Sequence, residues 1–287
     1  MIVVRTISQV RQAVADAKAD GRAVGLVPTM GALHAGHYSL IEAACERGLF
    51  VVVSIFVNPI QFAPTEDLAA YPRTPESDLA GCRDRGVAVV FMPEPSEMYP
   101  RPTLTVVDVP QLGQTLCGAS RPGHFSGVCT VVTKLLNIVQ PDFAFFGAKD
   151  FQQATILRRM VEDLNLPTTI VVCPIVREAD GLAMSSRNAY LTDAERRQAP
   201  ALRRSLEMAA DLVRRNRPTS GEVVEAILAF LGGESPDGIV DYVEIVDPES
   251  LSPVENTSDD ILIALAVRFG RARLIDNMRV DAKPGRS

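Results

Sequence analysis

Residues 24–37 read VGLVPTMGALHAGH, and this stretch decides the fold. Its first four residues form a short run without clean polar alternation, the pattern of a strand buried on both faces of a sheet. A turn with Gly31 and Gly36 follows, and residues 36–47 then carry helical spacing. Strand, glycine-containing turn and helix together make the unit of a parallel α/β sheet. The turn sits at the strand's C-terminal end, where doubly wound sheets keep their binding sites.

The same alternation continues to about residue 175. Residues 50–57, 87–92, 142–146 and 168–172 read as further strands, and 104–109 as an edge strand. Residues 75–85, 126–139 and 151–164 have helical spacing. This predicts an α/β, Rossmann-like doubly wound parallel sheet over residues 1–175. After Pro174 the character changes. Residues 192–215 read as one long charged helix with Thr192 as its N-cap, and 222–231 as another. Residues 242–246, 261–267 and 272–275 read as strands. Helices followed by strands predict a smaller α+β domain over residues 176–287, with 281–287 as a disordered tail.

Bulk properties narrow the function. The 287 residues are 47% hydrophobic, enough for a sizeable core. Lys and Arg number 29 against 35 Asp and Glu, so the formal net charge is −6, which disfavours a nucleic-acid partner. No apolar run reaches the ~18–20 residues a bilayer span requires. The opening MIVVRTISQV is too short and polar for a signal peptide. A cytoplasmic protein with no membrane partner is expected. The five cysteines (Cys45, Cys82, Cys117, Cys129, Cys173) are widely spaced and form no CxxC, so neither a zinc site nor a disulfide framework is expected.

The chemistry-bearing residues fall into polar segments near the ends of expected elements. His34 and His37 open the helix after the first turn. A helix start suits phosphates through its unpaired N–H groups and dipole, and both rings could donate to phosphate oxygens. His37, if protonated, could also stabilise charge on a leaving pyrophosphate. Gly31 and Gly36 mimic a P-loop, but His37 and Tyr38 stand where Lys and Ser or Thr belong. No GxGxxG is present. Gly147-Ala148-Lys149-Asp150 follows a strand, with Lys149 as a mobile cation and Asp150 able to cap the next helix. Gln153 shares that helix's face with Asp150. Met184-Ser185-Ser186-Arg187 supplies two hydroxyls and a guanidinium suited to phosphate. Gln61, in FVNPIQF, is a neutral donor and acceptor suited to a hydroxy acid. Tyr71-Pro72-Arg73-Thr74, Asp78 and Arg121-Pro122-Gly123-His124-Phe125, then Gly127, complete the set. Each segment alone is also compatible with an ordinary loop.

Together, PTMGALHAGH, FVNPIQF, YPRT, RPGHF, FFGAKDFQQ and MSSRNAYL resemble the signature runs of the pantoate–β-alanine ligases, in the right order across residues 28–191. That family lies in the nucleotidyltransferase superfamily. His34-Ala35-Gly36-His37 is similar to its HIGH element and Met184 to Arg187 to its KMSKS element. The resemblance implies an ATP-dependent ligase that uses Mg²⁺, activates pantoate as an acyl-adenylate and joins it to β-alanine. It implies a homodimer and a C-terminal lid. It also implies catalytic roles for His37, His34, Lys149, Ser185, Ser186 and Arg187, with His37 as the proton donor. ATP would be lined by Met30, Gly31, Ala32, Leu33, His34, Ala35, Gly36 and His37, by Gly147, Ala148, Lys149 and Asp150, by Val176, and by Met184 to Arg187. Gln61 would bind pantoate and β-alanine, and Gln153 pantoate. Asp78 or Asp150 could help hold Mg²⁺. The resemblance departs at Ala148, where the family usually carries Glu. Two other readings remain at this point: a nucleotidyltransferase whose product keeps the nucleotide, and a nucleotide- or RNA-binding module without turnover.

Overall fold

The computed structural model describes residues 1–63 and 68–281. In chain order its elements are β1 (Ile2–Val4), α1 (Ile7–Ala19), β2 (Val24–Thr29), α2 (Ala35–Glu46), β3 (Phe50–Ile55), α3 (Pro75–Asp84), β4 (Val89–Phe91), α4 (Pro95–Met98), α5 (Cys117–Ser120), α6 (His124–Val139), β5 (Phe143–Gly147), α7 (Phe151–Asp163) and β6 (Thr169–Cys173). There follow α8 (Asp193–Gln198), α9 (Ala201–Asn216), α10 (Ser220–Glu234), β7 (Ile239–Val246), β8 (Ile261–Phe269) and β9 (Ala272–Val280). Single 3-10 turns occupy Pro59–Gln61, Ala148–Asp150 and Ser186–Tyr190.

The chain divides into two compact units. The first comprises Met1–Gly113, Arg121–Ala148 and Gln153–Pro174; the second comprises Gln114–Ser120, Lys149–Gln152 and Ile175–Ser287. Among the described residues of the first, six strands form one parallel sheet in the order β1-β4-β3-β2-β5-β6. Val27, Val51, Val53, Val90 and Phe145 pack with Leu40, Ile41 and Ala44 of α2. Leu26, Val52 and Val89 are buried on the other face, where α1 and α6 lie. This is why the strands are apolar without alternation. From β2 the chain proceeds through β3 and β4 to one side, while β5 and β6 lie on the other. The C-terminal end of β2 is therefore the topological switch point, and the 30–37 turn leaves from it.

In the second unit three strands form an antiparallel sheet in the order β7-β8-β9. Leu202, Leu206 and Val213 of α9 and Val223, Ile227 and Leu231 of α10 join Ile263, Leu265, Leu274 and Val280 in its core. The α/β and α+β architecture expected from the sequence is thus present. No described helix is long and apolar enough to cross a membrane.

Four local expectations are corrected or fall outside the description. Residues 104–109 form no strand: Leu104 is 96% exposed and Val106 64%, and the Val107 N–H is taken by Thr130 Oγ1 at 3.1 Å. Residues 192–215 are two helices, because Pro200 stands as N-cap of α9 and cannot continue α8. Thr192 does cap α8, in a reciprocal box with Glu195. The N-terminal β1 and α1 were not foreseen, although Thr6 and Gln9 form a capping box. Of the expected disordered tail, 282–287 lie outside the described residues.

Candidate active site

At the switch point the backbone runs through two left-handed residues, Gly31 (φ 86°) and Ala32 (φ 50°). Glycine adopts this region freely, but alanine does so at a cost of ~1–2 kcal/mol. Asp78 holds the turn. Its Oδ2 accepts from the Ala32 N–H (3.0 Å), and its Oδ1 from the Leu33 N–H (2.8 Å) and the Thr74 hydroxyl (3.0 Å). With 1% exposure and three donors, this carboxylate is engaged by the loop and is poorly placed as a metal ligand.

His34 caps α2 with its imidazole. Its Nδ1 accepts from the Gly36 N–H at 3.2 Å, and the His37 Nδ1 accepts from the His34 N–H at 3.4 Å. The rings lie 4.1 Å apart, centre to centre. A backbone N–H can only donate, so each neutral ring carries its proton on Nε2. The sequence suggested bare helix N–H groups for phosphate. Instead two of these N–H groups go to imidazole nitrogens at the positive end of α2. Tyr38, at the place of the P-loop hydroxyl, packs instead: the Arg85 guanidinium stacks 3.9 Å from its ring centre.

Gln61 is buried on the turn after β3. Its Nε2 lies 3.1 Å from Met30 Sδ and its Oε1 accepts from Asn58 Nδ2 at 3.2 Å. Asn58 is tied further, donating to Gly127 O (3.2 Å) and accepting from the Tyr99 hydroxyl (2.8 Å). Burial pushes the Tyr99 pKa up to about 12, so Tyr99 remains a donor. Arg121 NH1 meets His124 Nε2 at 3.0 Å. Arginine only donates, which leaves the His124 Nδ1–H to donate to Gln61 O at 2.9 Å. Gly127 allows α6 to approach: a Cβ there would lie 2.5 Å from Ile60 O and 2.6 Å from Gln61 Cα. Arg73 and Tyr71 form a local turn, with Arg73 NH1 donating to Tyr71 O at 3.3 Å. Gln153 is half-buried in the first turn of α7.

The second unit carries the other candidates. Lys149 is half-buried in the 3-10 turn Ala148–Asp150, and Asp150 is exposed. Ser185 Oγ accepts from the Arg187 N–H at 3.2 Å and caps the turn that holds Ser186 and Arg187. A short hairpin precedes it, with the Met184 N–H on Val176 O at 3.0 Å. Glu178 steadies the junction, accepting from Asn188 Nδ2 (2.9 Å) and Arg196 NH2 (2.8 Å). Hence Met30 to His37 and Gln61 cluster within the first unit. Lys149, Val176 and Met184 to Arg187 belong to the second.

Asn58, Tyr99, Glu178 and Gln152 escaped the sequence reading. Gln152 Oε1 accepts from the Cys117 N–H (3.0 Å) and its Nε2 donates to Thr115 O (2.7 Å). Asn58 lies inside FVNPIQF and could have been found there. Gln152 likewise lies inside FFGAKDFQQ, whereas Tyr99 and Glu178 carry no local signal. Among the described residues no three His, Cys, Asp or Glu side chains group as a metal cage.

A parallel sheet with a histidine-capped turn at its switch point is the form of a nucleotide-dependent α/β enzyme. A profile of the Pantoate-beta-alanine ligase family matches residues 2–279. Relatives named pantothenate synthetase include those of Desulfitobacterium hafniense (strain DSM 10664 / DCB-2), 52% identical over 96% of this chain and 98% of the relative, and of Rhizobium meliloti (strain 1021), 51% identical over 100% and 98%. The pantothenate synthetase structure from Thermus thermophilus covers 99% of this chain and 100% of its own at 43% identity, with a TM-score of 0.92. A Francisella tularensis pantoate-beta-alanine ligase structure, described as complexed with beta-gamma ATP and beta-alanine, covers 100% of both chains at 33% identity and a TM-score of 0.78. The chain belongs to the pantoate–β-alanine ligase family, and so forms pantothenate from pantoate and β-alanine.

Proposed function

We propose that this ligase works through a pantoyl-adenylate. Pantoate's carboxylate attacks the α-phosphorus of ATP and pyrophosphate leaves. The amine of β-alanine then attacks the acyl carbon, a proton is lost from nitrogen, and AMP leaves with pantothenate formed. ATP and β-alanine as ligands are supported by the description of the Francisella tularensis relative. The observation that carries the phosphate assignment is the pair of imidazoles whose Nδ1 atoms are fixed by backbone N–H groups at the start of α2.

In this reading the first step needs charge stabilisation rather than covalent help. His34 and His37 donate from Nε2 to phosphate oxygens, and His37 follows the charge on the leaving pyrophosphate. Lys149, Ser185, Ser186 and Arg187 supply the remaining cations and hydroxyls. Met30 to His37, Gly147 to Asp150, Val176 and Met184 to Arg187 line ATP. Gln61 and Gln153 bind pantoate, and Gln61 also serves β-alanine. Residues 1–175 bind ATP and pantoate, and residues 176–287 serve as the lid that keeps water from the adenylate. Mg²⁺ that enters with a triphosphate needs only one or two carboxylates. The exposed Asp150 fits that need; Asp78 does not, since the turn engages it. The ion would neutralise phosphate charge. A homodimer in the cytoplasm completes the proposal.

The test is AMP release by the purified chain with MgATP and pantoate, with and without β-alanine. Multiple-turnover AMP release only with all substrates supports the two-step ligase. A product that keeps the nucleotide would favour a nucleotidyltransferase, and ATP binding without AMP release would end the catalytic reading.

A further inference from the structure

Asp276 and Asn277 are neighbours on β9, and both are buried, at 3% and 8% exposure. Alternation sends them to opposite faces of the strand. Asp276 shares a face with Leu274 and Val280, which belong to the helix-packed core, and Asn277 shares the other with Arg273. A strand in a core gains nothing from two buried polar side chains unless they are needed elsewhere.

Each is bonded to one loop. Asp276 accepts two bonds from Arg177, at 2.7 and 2.9 Å, and one from the Asn277 N–H at 2.8 Å. Arg177 also donates to Gly181 O at 3.0 Å and bridges to Ala183, so it fixes both limbs of the hairpin that leads into Ser185, Ser186 and Arg187. From the other face, Asn277 Nδ2 donates to Lys149 O at 2.9 Å.

We propose that Asp276 and Asn277 are a positioning pair for the reaction. They fasten the Lys149 turn and the hairpin before Ser185 to one strand, and so set the spacing of the donors that meet the ATP phosphates; this rests on the ATP reading above. A lysine side chain has many rotamers, so its placement depends on where its backbone is held. Anchoring Lys149 at its carbonyl and the hairpin at Arg177 fixes both backbones before ATP arrives, which is the form of preorganisation that lowers a barrier. Neither residue touches the reacting atoms in this proposal.

The experiment is Asn277→Ala in the full chain, alone and combined with Lys149→Ala, assayed by AMP release against ATP and against pantoate. The expected result is a fall of about tenfold in kcat/KM for ATP, in line with a small misplacement of a catalytic group. The pantoate KM should change by less than about twofold. In the Lys149→Ala background the same substitution should add less than about twofold, because the two act as one unit. An equal loss in both backgrounds, an equal rise in the KM of both substrates, or no loss at all would overturn the positioning role. If the alanine variant does not fold, Asn277→Ser removes less volume and is read by the same criteria. A wild-type chain that releases no AMP overturns the ATP reading and the positioning role together. An active wild type with a silent Asn277→Ala overturns the positioning role alone.

Discussion

Replacing Asp78 with Asn tests whether the histidine turn is held or merely present. The substitution keeps size and shape but turns one acceptor oxygen into an NH₂ group. That group must face either the Ala32 N–H or the Leu33 N–H, which now contact Oδ2 at 3.0 Å and Oδ1 at 2.8 Å. A hydrogen bond to a charged acceptor is worth ~1.5–3 kcal/mol, and a buried N–H left unpaired costs ~1–3 kcal/mol. These describe one loss from two sides, so about 2–3 kcal/mol is expected. That is a large share of the ~5–15 kcal/mol that typically holds a protein folded. Ala32 would then be free to leave its left-handed conformation (φ 50°) and shift His34 two residues on. A displacement near 1 Å predicts a fall in turnover of about 10²-fold. Urea unfolding reads the stability, AMP release the turnover, and amide exchange at Ala32 and Leu33 which of the two bonds is lost. Wild-type exchange at both amides together with wild-type turnover would refute the reasoning. So would rescue of turnover by added Mg²⁺, since a loop anchor has no use for the ion and a metal ligand does.

Three further outcomes are expected. Gly127→Ala drives a Cβ to 2.5 Å from Ile60 O, a backbone atom that cannot swing away; it should cost ~1–3 kcal/mol and raise the pantoate KM by moving Gln61, and unchanged melting and KM would contradict the close approach. His37→Ala should lower turnover by roughly 10²-fold if its Nε2–H stabilises transition-state charge, and near wild-type AMP release would end that role. Burial pushes the Cys82 thiol up to about 11 and the Cys129 thiol up to about 12, so at pH 8 both remain protonated and unreactive in the folded chain. Iodoacetamide at pH 8 should label them only in urea, which peptide mass mapping would check; rapid labelling of either in the native chain would mean the burial is wrong.

The turn at residues 30–37 was legible because it breaks a local rule visibly: an apolar run ends in glycines and two histidines of the three in the chain. The parallel sheet was legible because its strands are buried on both faces and therefore lack polar alternation. Residues 104–109 misled for the converse reason. Their β-branched composition suits a strand, but propensity in a sheet is largely a matter of packing neighbours, and Leu104 and Val106 have little to pack against. Pro200 was readable as a break and was passed over within a charged, helix-favouring stretch. At the N-terminus, Thr6-x-x-Gln9 is itself a capping-box signature before an amphipathic run, so α1 carries a local signal.

What stayed hidden has one physical character. Asp78 reads, in sequence, as a polar residue after the YPRT segment that could help hold Mg²⁺, and nothing local ties it to the 30–37 turn. Asn58 reads as a turn residue, and Asn277 lies past the end of the strand expected over 272–275. Their partners are 45 residues away for Leu33, 69 for Gly127 and 128 for Lys149, and no local period reports such pairings. Each partner is a backbone group: an N–H in the first case, a carbonyl oxygen in the other two. A side chain that serves a backbone atom leaves no trace in the identity of the residue it serves, because every residue type other than proline offers the same N–H and carbonyl. Residues proposed to meet substrate can therefore be sought by type, as His34, His37 and Lys149 were, whereas residues that hold a segment in place show themselves only as burial without an apolar reason. Asp78 and Asn277 share that mark, buried polar groups each with a distant backbone partner, and Asp276 shares the burial with the Arg177 guanidinium as its partner; this is what makes a positioning role arguable for them.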